Sequence, residues 1–407
     1  MKENFAGYSL KNLINKRINC VCKEQHFINA SLFYGDFFKN VKEILKKDIP
    51  FSKVVVITKT KSFEKFGNKL LEELKENGNI PLSLVLDNLD NSVEKISSLF
   101  CLPEDIRCVI SFDIELIDAL SYFAEIKNIP LIFIPTSLNL KGLFSNRVAI
   151  KVGEKEDKIK ITAKKYLIID EKIIETNFVE VYVNALSNLV GIVDLRVNDI
   201  IFSKKSCENA LLMLKNSTFE IIKSLSKKRV VKLIEEQLKI EIVNNFLNDR
   251  LYNDGYHATI KAQKLLNKTE ESYKFNTIFY LLELYRLYFS KKFDSILSIP
   301  DYEKRAEELS LITNEKEIVI IKRLKENLLN FFEFENKLKK YNAKLLKYIN
   351  SILKGKKKFF AIFNKLIKAE SVDLNVIKKS IYIAPDLTEN YTTLSLIREK
   401  GILENIL

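Results

Sequence analysis

The sequence predicts an α/β amino-terminal domain, built on a doubly wound and mostly parallel sheet, followed by an all-α carboxyl-terminal domain. Three observations predict it. Short apolar runs occur without polar alternation, as in Val54-Val55-Val56-Ile57, Cys108 to Ser111 and Ile129 to Ile134; such runs mark parallel strands covered on both faces. Segments with helical spacing separate them, for example Phe66, Leu70, Leu71 and Leu74, or Leu116, Ile117, Leu120, Phe123 and Ala124. That β-α-β-α order implies a doubly wound sheet. From Phe178 onward helical spacing dominates. A length of 407 residues suits two domains, placed at 1–175 and 176–407.

Residues Ile18 to Leu32 hold one or two opening strands. Cys20, Cys22 and His26 form a Cys-x-Cys-x3-His cluster within them. A metal reading needs a fourth ligand and usually wider Cys spacing; a small strand with buried thiols is the simpler reading. Gly35 opens a helix over Phe37 to Leu45. A strand at Lys53 to Thr58, a helix at Phe63 to Glu76, a strand at Leu82 to Leu86 ending at Asp87 and a helix at Val93 to Leu99 follow. The stretch Arg107 to Asn146 then reads as a βαβ crossover. Ligands of such sheets bind outside the carboxyl ends of the strands, so the loops Ser111 to Glu115 and Pro135 to Gly142 are expected to face whatever the domain binds. Asp113 reads as the N-cap of the crossover helix, with Asp118 exposed on its first turns. Val148 to Lys151 and Lys158 to Thr162 form a hairpin around the charged turn Gly153 to Asp157. Tyr166 to Ile169 is the last strand, ending at Asp170.

The second domain is expected to contain helices at Leu211 to Leu225, Val230 to Leu247, Thr277 to Phe289, Glu303 to Leu311, Glu315 to Ile349 and Asn375 to Ile383. Stripes such as Ile278, Leu281, Leu282, Tyr285 and Phe289 are core faces. Lys354 to Lys358 reads as a solvated loop.

Composition narrows the function classes. The chain is 47% hydrophobic, enough to bury a substantial core. No run of 18 apolar residues occurs, so no membrane span is expected. The start, MKENFAGYSLKNLINKR, has no apolar core of a secretory signal. Five cysteines, Cys20, Cys22, Cys101, Cys108 and Cys207, are odd in number and sparse, which points to reduced thiols in a cytoplasm. A net charge of +13 admits nucleic acid as a partner. The lysines, however, are spread along the chain and mixed with Glu as on solvated helix faces, and basic charge alone supplies only non-specific binding. A nucleic-acid role is therefore not expected.

The order Ile117-Asp118, Ile129-Pro130, Pro135-Thr136-Ser137, Gly142, Ser145, then a hairpin, a strand ending in Asp170 and a helical domain, resembles the iron-containing alcohol dehydrogenase and dehydroquinate synthase superfamily. It is most similar to the bacterial sn-glycerol-1-phosphate dehydrogenase group, and the closing Tyr391-Thr392 through Gly401 extends the resemblance to nearly the whole chain. The resemblance implies NAD(P), a divalent metal and reduction of dihydroxyacetone phosphate. It implies cofactor contacts at Asp118, Thr136, Ser137, Gly142 and Ser145; read alone, Pro-Thr-Ser is also a common strand stop.

The departures fall where the chemistry lies. Phe112-Asp113-Ile114-Glu115 replaces the family's glycine turn, Ser121 replaces the helix Lys, and Lys141 replaces the Asp before Gly142. Glycines let the backbone approach a pyrophosphate. Side chains there block it, and Asp113 and Glu115 repel phosphate by a few kcal/mol at an effective dielectric of about 20. In the helical domain Asp194 fits a family Asp, but Asn184 stands where a metal-binding Asp belongs, and an amide is a poor replacement. The chain has two histidines, His26 and His257. Only His257 falls near a family histidine, so the Asp/His/His site that polarises the substrate carbonyl is incomplete. Replacement by Asp254, Glu271 or Lys274 stays open, as does a purely structural His257.

The expected function is a divergent, non-catalytic relative reused for binding, assembly or regulation. It would have weak or lost NAD(P) binding, no retained divalent metal, and a protein partner or small phosphorylated ligand, with homo-oligomer formation open. The alternative is an active NAD(P)H-dependent glycerol-1-phosphate dehydrogenase with an altered site. A dehydroquinate-synthase-like cyclase is a third reading that needs the same cofactor and metal.

Overall fold

The computed structural model describes residues 4–89, 91–152, 155–225, 227, 229–248, 250–251, 254–290, 301–313, 316–367, 371–387, 391–400 and 402–403. The chain divides into two compact units, one of residues 1–177 with 212–249, the other of 178–211 with 250–407.

The first unit opens with a helical turn, α1 (Leu10–Leu13), and a small antiparallel hairpin, β1 (Ile18–Asn19) with β2 (Gln25–His26). The main sheet is formed by β3 (Ala30–Tyr34), β4 (Lys53–Thr58), β5 (Ile80–Val85), β6 (Ile106–Ser111), β7 (Leu131–Phe133) and, later in the chain, a strand at Lys165–Ile169. Between them lie α2 (Phe37–Asp48), α3 (Thr60–Ser62) leading through a π-helical turn at Phe63–Gly67 into α4 (Asn68–Glu76), α5 (Val93–Ile96) and α6 (Ile117–Lys127). A two-stranded hairpin, β8 (Arg147–Val152) with β9 (Lys155–Lys160), precedes β10, the strand at Lys165–Ile169. All pairs in the six-stranded sheet are parallel, in the order β3-β10-β7-β6-β4-β5.

The apolar runs explain this order. The inner strands β4, β6, β7 and β10 are buried almost throughout, while the edge strands β3 and β5 are only partly covered. A strand covered on both faces needs apolar residues at every position. On one face, Val54, Val56, Ile110, Ile132 and Ile168 pack with Phe37, Val41, Leu45, Leu70 and Leu74 from α2 and α4. α2 starts where the Asp36 carboxylate accepts the Lys39 N–H at 2.9 Å, a standard N-cap. α6 ends at Asn128 in the left-handed conformation, φ +53°, and Pro130 prevents its continuation.

The second unit is helical. α7 (Phe178–Ile201) is followed by α8 (Glu208–Leu225) and α9 (Val230–Phe246), of which residues 212–246 belong to the first unit. Then come α10 (Gly255–Leu265), α11 (Glu271–Phe289), α12 (Tyr302–Thr313), α13 (Glu317–Lys339), α14 (Asn342–Leu353), α15 (Lys356–Leu366), α16 (Leu374–Ile383) and α17 (Thr393–Glu399). α7 is long and apolar enough to cross a membrane, but 78% of its apolar window is buried, as in a core helix. Every residue of α17 is buried. Arg398 on it pairs with Glu399 and with Asp386, which also accepts from Arg305 at 3.0 Å, so two buried cations meet two buried carboxylates.

Several element expectations change. The stretch 315–349 is broken at Lys340–Tyr341 into α13 and α14. The basic run at Lys354 to Lys358 is not a loop, because α15 begins at Lys356. Leu82 to Leu86 starts two residues earlier, as Ile80 pairs with Lys53. The hairpin turn is tighter than Gly153 to Asp157, since β9 begins at Lys155; residues 153 and 154 lie outside the described residues.

Candidate functional site

Strand order locates the crevice. From β4 the chain moves outward to β5, whereas from β6 it moves the opposite way to β7. The switch point lies at the carboxyl ends of β4 and β6, which is where an open α/β sheet binds its ligand. In this chain a side chain of the protein occupies it. Asp113 is 7% exposed. Its Oδ2 accepts from the Lys59 backbone N–H at 2.8 Å and from the Thr58 hydroxyl at 2.5 Å; its Oδ1 accepts from the Ser62 hydroxyl at 2.5 Å. Two hydroxyls and a backbone N–H that could face a phosphate are thus spent on an internal carboxylate. This corrects the N-cap expectation: Asp113 makes no side-chain cap bond to the turn that follows it. Phe112 is 1% exposed and lies below the crevice, stacked on Phe66 at 5.3 Å and edge-on to Phe37 at 5.6 Å. Glu115 is exposed, 3.9 Å from the Lys59 ammonium.

The second loop shows the same device. Gly142 adopts φ +83°, where only glycine sits without strain, and its N–H donates to Glu241 Oε2 on α9 at 2.8 Å. Asn245, one turn further along α9, donates to the Phe144 carbonyl at 2.6 Å. Asp118 is half-buried rather than exposed, 3.4 Å from the Asn91 amide, and a Cβ on Gly142 would stand 3.7 Å from its Oδ1. The fold therefore brings Asp118 and Gly142 together. Thr136 meets Glu175 through its carbonyl at 2.7 Å, and the Ser137 hydroxyl accepts the Asn139 N–H at 3.4 Å. The Ser145 hydroxyl turns back to the Arg147 carbonyl at the start of β8. A dinucleotide diphosphate does not fit this arrangement, because carboxylates already hold the donors at both loops.

In the second unit Asn184 is exposed on α7. Ten residues along the same helix, about 15 Å away at 1.5 Å per residue, Asp194 is fully buried. Asp194 accepts from Gly255 N–H at 2.8 Å, the Tyr285 hydroxyl at 3.0 Å, and the Thr393 N–H and hydroxyl at 2.8 and 2.5 Å. Burial and the nearby Asp254 carboxylate push Asp194 up to about 6. The Tyr285 hydroxyl is pushed well above its ordinary range by burial and by Asp194 and Asp254. Asp254 caps α10, and its Oδ1 meets His257 Nδ1 at 2.8 Å. The space around Asp254 is tight, since a Cβ on Gly191 would approach its Oδ2 to 2.6 Å. His257 thus joins Asp254, not Asn184. The helix-domain Asp/His/His set does not fit these residues: Asn184 offers an amide where the carboxylate belongs, and His257, the one histidine in this part of the sequence, has its Nδ1 on Asp254. Lys274 pairs with Glu271 at 2.5 Å on α11.

Loss of any metal from the chain as a whole is not supported. The ligand atoms of Cys20, Cys22 and His26 lie within 4.8 Å of one another, a grouping that can hold a metal ion. Burial lowers the His26 pKa, favouring the neutral ring that ligates metals.

The residues that sequence reading missed are Thr58, Ser62 and Glu241 as partners of the two loops, and Tyr285 and Thr393 as partners of Asp194. Thr58 and Ser62 carried one signal: two hydroxyls flanking the carboxyl end of an apolar strand. Glu241 and Thr393 carried none, being 99 and 199 positions from the groups they bind.

No protein-family model matches the chain, and no curated protein matches it in sequence. Solved structures do match. A glycerol dehydrogenase from Schizosaccharomyces pombe superposes with a TM-score of 0.54 at 14% identity, over 93% of this chain and 89% of that one. A 1,3-propanediol oxidoreductase gives 0.53 at 10% identity, over 94% and 99%. An iron-containing alcohol dehydrogenase from Thermococcus thioreducens gives 0.51 at 14% identity, over 94% and 99%. A parallel-sheet α/β unit followed by helices, matched at this length, gives the chain the fold of the iron-containing alcohol and glycerol dehydrogenases.

Proposed function

We propose that the chain is a non-catalytic relative of the sn-glycerol-1-phosphate dehydrogenases, its scaffold serving binding, assembly or regulation in the cytoplasm rather than hydride transfer. The observation that carries this reading is the Asp113 carboxylate seated among Thr58, Lys59 N–H and Ser62 at the switch point. A phosphate entering there must displace a buried, triply bonded carboxylate and meet its charge. Glu241 on the Gly142 N–H adds the same obstacle at the second loop. A protein partner or a small phosphorylated ligand bound elsewhere stays within this reading; nucleic acid and membrane do not.

A second reading, an active NAD(P)H-dependent polyol-phosphate dehydrogenase with an altered site, is favoured by one observation. Asp194, Asp254 and His257 keep acid–base groups together at the start of α10, and Asp254 Oδ2 has no hydrogen-bond partner there among the described residues.

Calorimetric titration with NADH and NADPH, beside a dihydroxyacetone phosphate reduction assay, decides between them. The expected result is no saturable binding and no turnover. Saturable NADH binding together with dihydroxyacetone phosphate-dependent NADH oxidation would overturn the proposal in favour of the second reading.

A further inference from the structure

We propose that the β1–β2 hairpin is a metal knuckle in which Cys20 Sγ, Cys22 Sγ and His26 Nε2 bind a thiophilic divalent cation of the zinc class. The site lies in the first unit, away from the switch-point crevice, and is independent of whether the chain reduces anything.

Pairing in the hairpin sets the geometry. Ile18 pairs with His26 and Asn19 with Gln25. Directly opposed residues and residues two apart share a face, so Ile18, Cys20 and His26 point the same way. All three are buried, at 1, 3 and 6% exposure. The loop then folds back: Lys23 takes φ +73° and donates to the Cys20 carbonyl at 3.0 Å, while Cys20 N–H donates to the Glu24 carbonyl at 3.3 Å. That turn returns Cys22 toward Cys20, and the Cys22 N–H points at Cys20 Sγ, 3.5 Å away. A backbone donor aimed at sulfur stabilises a thiolate more than a thiol, because the bond is charge-assisted.

The histidine is fixed as well. Its ring stacks on Phe246 of α9 at 4.4 Å and meets Phe5 edge-on at 5.5 Å. Held there, Nε2 stands 3.3 Å from Cys22 Sγ. Zinc bonds of about 2.3 Å to sulfur and 2.0–2.1 Å to nitrogen at tetrahedral angles place donor atoms about 3.3–3.8 Å apart. The three donor atoms, all within 4.8 Å, close to that spacing with small rotations.

The hairpin also has a use for such an ion. Two residues per strand are too few for a stable hairpin alone. A cation bridging its turn to both strands fixes it, and its binding energy becomes folding energy. On binding, each thiol loses its proton to solvent and a sulfur–metal bond replaces the S–H bond; no electron moves. The remaining position on the metal takes water or another thiol of the chain.

The test uses the full chain, purified without chelator and without an affinity tag that binds metal. Elemental analysis is expected to find stoichiometric zinc, lost in Cys20→Ser and Cys22→Ser. Cobalt(II) loaded in its place should show thiolate-to-cobalt charge transfer and the intense visible bands of a tetrahedral site. If a serine variant fails to fold, His26→Cys and His26→Phe keep the question open to refutation. The first retains a ligand and should retain metal; the second retains the stacking on Phe246 and should lose it. Cys101→Ser, Cys108→Ser and Cys207→Ser, made singly, identify any fourth thiol. Metal-free wild-type protein that takes up neither zinc nor cobalt would overturn the proposal. So would equal metal content in wild type and His26→Phe, or a Cys20–Cys22 disulfide in freshly purified protein.

Discussion

Burial and the Asp254 carboxylate hold Asp194 up to about 6, whereas in the unfolded chain it titrates near 3.9. Between those values the native state binds more protons than the unfolded state. Stability therefore falls as pH rises from about 4 to about 6 and levels above that. The gap between the two values corresponds to roughly 3 kcal/mol across the window. Asp194→Asn is expected to remove that slope, while costing stability at every pH because an amide cannot accept from all of Gly255, Tyr285 and Thr393. Urea unfolding of both proteins from pH 4 to 7 measures it; parallel pH profiles would refute the assignment. Asp113 makes the second residue-scale prediction. Asp113→Ala leaves two hydroxyls and one N–H without their acceptor, for a loss of about 1–3 kcal/mol. Inorganic phosphate added to the variant should recover part of that loss by entering the emptied crevice, and should leave the wild-type melting temperature unchanged. At this scale the sequence showed which residues were unusual but not what they touch. Asp113 stood out against a glycine turn, yet its partners sit 51–55 positions away and only the pairing of β4 with β6 brings them into reach.

Among the elements, strands were the most legible, because a buried parallel strand writes its environment at every position. The βαβ crossover from Ile106 to Phe133 appears with its boundaries shifted by a residue or two. The long helical stretch after Glu315 was less legible. Its apolar spacing runs through Lys340-Tyr341 without a glycine or proline, so the break between α13 and α14 leaves no local signal. α15 was missed for the opposite reason. A run of lysines looks like loop, but the packed face begins just past it, at Phe359 and Phe363. The loop after β7 gives a prediction of its own. Gly142→Ala has room for its Cβ, 3.7 Å from Asp118 Oδ1, so its cost comes from φ +83° alone, about 1–2 kcal/mol. Thermal denaturation should show this modest loss; a loss several times larger would mean that the Glu241 bond breaks as well.

For the whole molecule, fold class was legible from periodicity and chemistry was not. Apolar period and its change at Phe178 determine where sheet gives way to helices, and these survive at 10–14% identity to the matched dehydrogenases. The groups that decide function are polar, buried and far apart in sequence. Cys20, Cys22 and His26 illustrate the limit: their spacing alone argues against a metal, and only the turn at Lys23 and the stack on Phe246 bring three donor atoms together. The Asp113 and Glu241 carboxylates have one more consequence at this scale. Proteins that bind a nucleotide in the native state alone gain stability as RT ln(1 + [L]/Kd), so their folding tracks metabolite supply. On the reading proposed above, a chain that furnishes its own anions is insulated from that supply, and its half-life in a starved cell should match that in a fed one.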